Sequence, residues 1–222
     1  MAEIFQKEYR CKTDILLPSR SYLHHEYTTP SPTTLKNSFP LTIAFAGSIW
    51  HFYAEMIKLI ANSLIKLGGE IHIYSDLTHK SYLEFGFNQH PNIFIKGYLP
   101  HPQIIDTLRN SAHALYSPLT FSPNDDNSRF CFPSKLADYT AVGLPIILHG
   151  PPYSSQIKWA SQYSDAFIII DDLNVENIRQ SIVRLQNPEI RRSLAQKIIA
   201  IGKETFSWEK AWKTLCFHLT TP

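Results

Sequence analysis

The residue types best suited to hold an anionic ligand stand together in residues 132–138, which read Phe-Pro-Ser-Lys-Leu-Ala-Asp. Pro133 precedes Ser134, and Ser134 is predicted to be the N-cap of a helix that ends before Gly143. The first turn of a helix carries unpaired backbone N–H groups and the positive end of the helix dipole, and Lys135 adds a cation beside them. This combination is typical of a site for a diphosphate.

Asp138 follows Lys135 by about one helical turn and is predicted to present its carboxylate to the same rim. A carboxylate that accepts hydrogen bonds from two ribose hydroxyls is the acidic half of nucleotide recognition. The spacing alone gives about equal weight to a second interpretation, in which these residues are an ordinary helix cap and a solvated helix face.

From residue 41 onward, short apolar runs alternate with segments of helical periodicity. Apolar runs without polar alternation are typical of strands that are buried on both faces of a parallel sheet. Right-handed crossovers then give an α/β fold, a doubly wound, Rossmann-like parallel sheet of about six strands with helices on both sides. The predicted strands are residues 41–46, 71–74, 93–95, 113–116, 145–148 and 166–170, and the predicted helices are residues 52–67, 102–110, 134–142, 174–185, 189–202 and 207–219.

A ligand of such a sheet lies beyond the carboxyl ends of the strands. We predict residues 122–129 to be a polar loop near this edge, and Arg129 at its end is either a clamp for a diphosphate or a surface arginine. The loops that this rule selects are residues 47–48, 97–100, 117–121, 129–135 and 149–154.

Five other residues receive structural rather than chemical interpretations. Cys131 is predicted to be a small buried hydrophobe. His101 and His149 are interpreted as polar residues of loops at the rim. Trp208 and Trp212 are predicted to be buried anchors of the last helix.

Composition argues against several classes of protein. The 222 residues are 44% hydrophobic and 18% charged, so the chain can bury a core, and a formal net charge of +2 disfavours a nucleic-acid partner. Its three cysteines are far apart, so we predict neither a disulfide framework nor a metal site. No apolar run reaches about 18 residues and no signal peptide is recognised, so a cytoplasmic protein is expected; peripheral association with a membrane stays compatible with the sequence.

The first 40 residues differ from the rest of the chain. Residues 1–10 are predicted to form a short helix and residues 13–18 a short strand, and residues 19–40 are rich in Ser, Thr and Pro without any period. We therefore divide the chain into residues 1–40 and a domain of residues 41–222.

Residues 132–147 resemble the Pro-Ser-Lys-Leu-x-Glu-Tyr-x-Ala-x-Gly-x-Pro-Val signature in the C-terminal domain of many GT-B glycosyltransferases. Asp138 stands where this family has the glutamate that holds the donor ribose, and its side chain is one methylene shorter. Phe130 stands where the best-known retaining members carry another glutamate. The paired-glutamate motif of those members is therefore absent from this sequence.

Two loops resemble the same family in the same order along the chain. Gly47 and Ser48 resemble the loop whose backbone N–H groups approach the donor phosphate, although Ile-Trp-His follows here in place of an Arg and a Lys. Gly97, Tyr98 and Leu99 resemble the turn whose backbone reads the edge of the base. The predicted donor site therefore includes both loops, the clamp candidate Arg129 and the four residues Pro133, Ser134, Lys135 and Asp138.

The resemblance implies the donor-binding half of a glycosyltransferase, in which a nucleoside-diphosphate sugar gives its glycosyl group to a hydroxyl acceptor without a cofactor or a metal. The acceptor, a sugar or a lipid-linked glycan, would bind an N-terminal domain of which residues 1–40 are the end and the linker. Two alternatives stay open: a non-catalytic module that binds a nucleotide or a partner, and a nucleotide-sugar epimerase. A dehydrogenase is disfavoured because no strand is followed by Gly-x-Gly-x-x-Gly.

Overall fold

The centre of the molecule is a sheet of six parallel strands. The structure, a computed structural model, describes residues 2–10, 15–20, 27–36, 40–123, 126–163 and 165–220. The strands are β1 (Thr42–Ala46), β2 (Glu70–Tyr74), β3 (Ile93–Ile95), β4 (Ala114–Pro118), β5 (Ile146–His149) and β6 (Ile168–Ile170). They lie in the order β3-β2-β1-β4-β5-β6, which confirms the predicted doubly wound α/β fold. The direction of winding changes between β1 and β4, so a crevice opens beyond their carboxyl ends.

Helices cover both faces of this sheet. The six helices predicted after residue 41 each begin within one residue of the expected start. Three short helices, at His79–Glu84, Asp126–Phe130 and Ser155–Ala160, were not predicted. The helices are α1 (Ala2–Tyr9), α2 (His51–Ile65), α3 (His79–Glu84), α4 (His101–Ser111), α5 (Asp126–Phe130), α6 (Lys135–Val142), α7 (Ser155–Ala160), α8 (Val175–Val183), α9 (Pro188–Phe206) and α10 (Trp208–Thr220).

Alternate residues of β1 enter two separate hydrophobic cores. Ile43 and Phe45 pack into the core that includes residues of α2 and α8. Ala44 packs into the core on the other face, with residues of α4, α6 and α9. Because both faces of the strand are covered, the sequence of β1 is apolar throughout rather than alternating.

Two segments differ from the expectation. Residues 126–129 belong to α5, so the prediction of a polar loop is wrong there. Ser128 is buried and donates a hydrogen bond to the Thr120 carbonyl over 3.1 Å, which ties this turn to the sheet edge. Residues 15–18 form no strand; residues 13–14 of the same prediction lie outside the described part of the chain.

Buried arginines fasten the segment before β1 to the helices. Arg20 donates from Nε to the Ala137 carbonyl over 2.8 Å and from Nη2 to Thr140 Oγ1 over 2.6 Å, both on α6. Arg109 of α4 donates to the Thr29 carbonyl over 2.9 Å. These charge-assisted bonds hold residues near 20 and 29 against the layer that also carries the candidate site.

Three burial predictions are wrong. Cys131 is exposed. Trp208 and Trp212 on α10 are 40% and 57% exposed, and no residue of this helix is buried. Their spacing did identify an amphipathic helix, but the apolar face of α10 is not covered by the described part of the chain.

Candidate functional site

The start of α6 is held against the end of β1 by one tyrosine. The Tyr139 hydroxyl accepts a hydrogen bond from the Ala46 backbone N–H over 2.8 Å and donates one to the Ala46 carbonyl over 3.2 Å. Burial raises the pKa of Tyr139, so the phenol stays protonated and can donate. The first turn of α6 therefore lies beside the loop that begins at Gly47.

The backbone of Gly47 turns sharply at this point. Its φ of +136° lies in a region that favours glycine, and its N–H donates to the Tyr74 carbonyl over 3.0 Å. A Cβ at this position would stand 3.5 Å from Lys135 Nζ. This is an ordinary van der Waals distance, so glycine is favoured here by the backbone angle and not by the proximity of Lys135.

The N-terminal end of α6 differs from the predicted cap. Ser134 is the N-cap residue of α6, as predicted, but it has helical backbone angles, φ −59° and ψ −31°, and its side chain makes no capping hydrogen bond. The N–H groups of Leu136 and Ala137 instead donate to the carbonyls of Pro133 and Ser134, each over 3.1 Å. The N–H groups of Ser134 and Lys135 have no hydrogen bond within the described residues, so they remain as donors for a ligand.

Lys135 carries its ammonium group over two aromatic rings. Nζ is 4.2 Å from the ring centre of Phe45 and 4.8 Å from that of Tyr53, at cation–π distances. Burial lowers the pKa of Lys135 to about 7. Within the described residues no carboxylate forms an ion pair with Lys135, so an anionic ligand would supply the charge that is missing.

Asp138 and His101 face each other across the same crevice. His101 Nε2 lies 3.0 Å from Asp138 Oδ2, and the two side chains are 39% and 34% exposed. His101 is the first residue of α4 rather than part of a rim loop, as the sequence had suggested. The pair stays open to solvent and therefore to a ligand.

These groups line one cavity of about 690 Å³. A volume of this size is typical of sites for small molecules and cofactors. Its wall continues from the α6 start to the ends of β2 and β3, where Tyr74, Ser75 and Asp76 face Tyr98 and Leu99. Pro18 and Ser19, from the segment before β1, also line it.

The structure brings most of the predicted site residues together. The cavity is lined by Gly47, Ser48, Tyr98, Leu99, Ser134, Lys135 and Asp138, whereas Gly97, Arg129 and Pro133 lie outside its lining. The side chain of Arg129 is exposed, with its guanidinium 5.5 Å from the Phe130 ring centre.

Sequence reasoning did not assign Trp50, Tyr53, Asp76 or His101 to the site, although all four line the cavity. Trp50 is 65% exposed at the rim, three residues after Gly47. Its place in the loop where the family has basic residues was visible in the sequence, but its position in the wall was not. The positions of the other three residues in the wall depend on how the helices and strands pack around the sheet, and the sequence alone does not show this.

His149 is buried at the end of β5, so its interpretation as a polar rim residue is wrong. Its Nε2 donates to the Asp172 carbonyl over 2.7 Å, and Nδ1 accepts from the Tyr116 hydroxyl over 2.8 Å. Burial lowers the pKa of His149 to about 4, so the ring is neutral at pH 7. It is a structural histidine and does not line the cavity.

Metal-binding clusters and membrane-spanning helices are both absent from the described residues. No group of three or more His, Cys, Asp or Glu side chains there is arranged to hold a metal ion. Among the same residues, no helix combines the length and apolar character needed to cross a membrane.

Comparison with solved structures gives matches at low sequence identity. No protein-family model matches the sequence, and no curated protein matches it significantly. HepE from Anabaena, solved with UDP-glucose, matches 88% of this chain and 54% of its own with a TM-score of 0.64 and 8% identity. The lipopolysaccharide outer core galactosyltransferase WaaB, in its apo form, matches 93% of this chain and 55% of its own with a TM-score of 0.59 and 15% identity.

A third match differs in extent. The catalytic domain of cholesterol-α-glucosyltransferase from Helicobacter pylori matches 74% of this chain and 98% of that chain, with a TM-score of 0.55 and 12% identity. The present chain spans about half the length of HepE and WaaB. Together with the parallel sheet and the crevice at its switch point, these matches identify the fold as that of the C-terminal domain of GT-B glycosyltransferases.

Proposed function

We propose that this chain binds a nucleoside-diphosphate sugar as the donor half of a glycosyltransferase. The observation that carries the proposal is Lys135, a partly buried cation without a carboxylate partner in the described residues, aimed at the Gly47 loop inside a ligand-sized cavity. A diphosphate placed there meets this charge and the N–H groups of Ser134 and Lys135. HepE, solved with UDP-glucose, has the same fold, which supports a ligand of this class.

The rest of the donor follows from the shape of the cavity. Asp138 lies about one turn beyond Lys135 on α6, and the donor ribose in this proposal lies beside it. Its carboxylate accepts hydrogen bonds from ribose hydroxyls. The base extends toward Tyr98 and Leu99, where the turn after β3 offers backbone groups to its edge.

The proposed reaction transfers the glycosyl group to a hydroxyl acceptor. The bond between the sugar C1 and the diphosphate oxygen breaks, the acceptor oxygen bonds to C1, and the hydroxyl proton leaves to a base. This chain stabilises the departing diphosphate, because fixed N–H groups and Lys135 oppose the negative charge that grows on it. We assign acceptor binding and the base to a second domain, since the match with this chain covers only 54% of HepE and 55% of WaaB.

A binding experiment tests this proposal without requiring turnover. Thermal unfolding of the 222-residue chain is measured with UDP, GDP, ADP and CDP, with and without EDTA. A ligand at a hundredfold excess over its dissociation constant stabilises the folded state by about 2.7 kcal/mol. We expect one diphosphate to give such a shift, EDTA to leave it unchanged, and the matching nucleoside to give a smaller one. If none of the four diphosphates raises the unfolding temperature, the proposed function is wrong.

A further inference from the structure

The His101–Asp138 pair joins two helices that both begin at the ligand edge of the sheet. His101 is the first residue of α4 and Asp138 lies in the first turn of α6. Their contact of 3.0 Å links groups from two separate helices, and both side chains line the cavity. Asp76 and Lys135 are the other charged side chains in this lining among the described residues.

The pair leaves the carboxylate able to accept more hydrogen bonds. Two carboxylate oxygens offer about four lone-pair positions, and His101 occupies one of them at Oδ2. Oδ1 and the second position on Oδ2 are enough for the two hydroxyls of a ribose. His101 is therefore compatible with a bound ribose and does not block the carboxylate.

We propose that His101 is a positioning residue for the donor ribose, which fixes the Asp138 carboxylate in the orientation that accepts both hydroxyls. The inference rests on the proposed function. An aspartate side chain otherwise samples several rotamers, and each hydrogen bond to a ligand must then overcome the cost of fixing it. The imidazole of His101 removes this freedom before the ligand arrives, so the ordering cost is lowered.

The shorter arm of Asp138 makes this support necessary. An aspartate side chain is one methylene shorter than a glutamate, so the Asp138 carboxylate has a short reach from the first turn of α6. A carboxylate with less reach must be directed more closely to contact two hydroxyls at once. His101 supplies that direction from the opposite helix.

The experiment compares a ribose ligand with one that lacks both hydroxyls. The dissociation constants of the nucleoside diphosphate that stabilises the chain most and of its 2′,3′-dideoxy counterpart are measured by calorimetry. The unaltered chain should prefer the ribose form by roughly tenfold or more, as charge-assisted hydrogen bonds imply. His101→Ala should lose most of this preference and keep its affinity for the dideoxy form. His101→Gln, whose amide nitrogen can replace Nε2 as a donor, should retain most of it.

Controls separate this inference from the proposed function. His79→Ala alters another first residue of a helix outside this cavity and should change neither constant. If Asp138→Ala abolishes the ribose preference while His101→Ala keeps it, His101 does not position the carboxylate, although the proposed function stands. The positioning role is also overturned if His101→Gln behaves like His101→Ala. If Asp138→Ala also keeps the preference, or no diphosphate binds, the ribose site itself is wrong.

Discussion

Tyr139 and Ala46 are joined by two hydrogen bonds, of 2.8 and 3.2 Å, that hold the start of α6 beside the end of β1. The phenol satisfies both backbone groups of the residue before Gly47. This contact fixes the distance between the two loops that would enclose a diphosphate.

Tyr139→Phe should therefore weaken both the fold and the site. The substitution leaves the N–H and C=O of Ala46 without these partners, at a cost of about 1–3 kcal/mol in the free energy of unfolding. Urea denaturation measures this loss, and affinity for a nucleoside diphosphate should fall with it. Tyr82→Phe is the matched control, because the Tyr82 hydroxyl makes no hydrogen bond within the described residues. Equal stability of the two variants would contradict the role of Tyr139.

Lys135, and not Arg129, should supply the charge that selects a diphosphate. Lys135→Ala should lose much of the preference for a nucleoside diphosphate over the bare nucleoside, by about 1.5–3 kcal/mol for a charged hydrogen bond. Arg129→Ala removes an exposed cation outside the cavity and should leave this preference unchanged. Calorimetry with both ligands gives the comparison. A larger effect from Arg129→Ala would mean that the phosphates lie nearer to α5.

Affinity for the diphosphate should fall as the pH rises above 7. Lys135 has a pKa of about 7 in the empty site, and a bound dianion raises it because the charged form is then favoured. Binding above pH 7 is consequently accompanied by proton uptake, so affinity should drop by up to about tenfold per pH unit until the pKa of the complex is reached. Lys135→Met removes the titrating group and should give a flat profile between pH 7 and about 9. A slope that persists in this variant would assign the titration to another group.

Stability should fall as the pH is lowered from about 6.5 toward 4. Burial holds the pKa of both His113 and His149 at about 4 in the folded chain, below the value near 6.5 expected when unfolded. Between these values the unfolded state binds more protons than the folded state, so acid favours unfolding. Each histidine should cost about 2 kcal/mol at pH 5 relative to pH 7.

Urea unfolding at several pH values measures this loss. His149→Phe lowers the absolute stability, but its dependence on pH between 6.5 and 4 should be weaker than that of the unaltered chain. The remaining dependence comes from His113 and from His72 and His90, whose pKa values burial also lowers. His79→Ala, which changes an exposed histidine, should leave the dependence as it was. An unchanged slope in His149→Phe would show that His149 is not neutral in the folded state.

The sheet could be predicted from the sequence because each strand is buried on both faces. Ile43 and Ala44 enter different cores, so the run around them contains no charged residue. The start of α6 was predictable for a similar reason, since a proline, a polar residue and a helical apolar period follow one another. In these cases the secondary structure that the local sequence favours is also the one that the surrounding fold requires.

The predictions failed where the local sequence does not determine which other parts of the chain surround a residue. The helical spacing of the apolar residues that include Trp208 and Trp212 indicates an amphipathic helix. The spacing does not show whether another part of the protein covers the apolar face of that helix. Ser134 occupies the position of a cap, yet its helical backbone angles prevent the side chain from reaching the first turn. The contact between His101 and Asp138 forms only because α4 and α6 pack beside each other. The residue spacing within a single helix therefore cannot predict it.

Between two aromatic rings, Lys135 also acquires a chemical property that ordinary lysines lack. With a pKa of about 7, Lys135 carries a free amine in roughly half of the protein molecules at neutral pH. A solvated lysine is deprotonated in roughly one molecule in a few thousand. A free amine is a nucleophile, so Lys135 should react faster with aldehydes and acylating reagents than the solvated lysines do. A reagent that also carries a phosphate group would be drawn to the same place, and occupation of the cavity by a diphosphate would protect the residue.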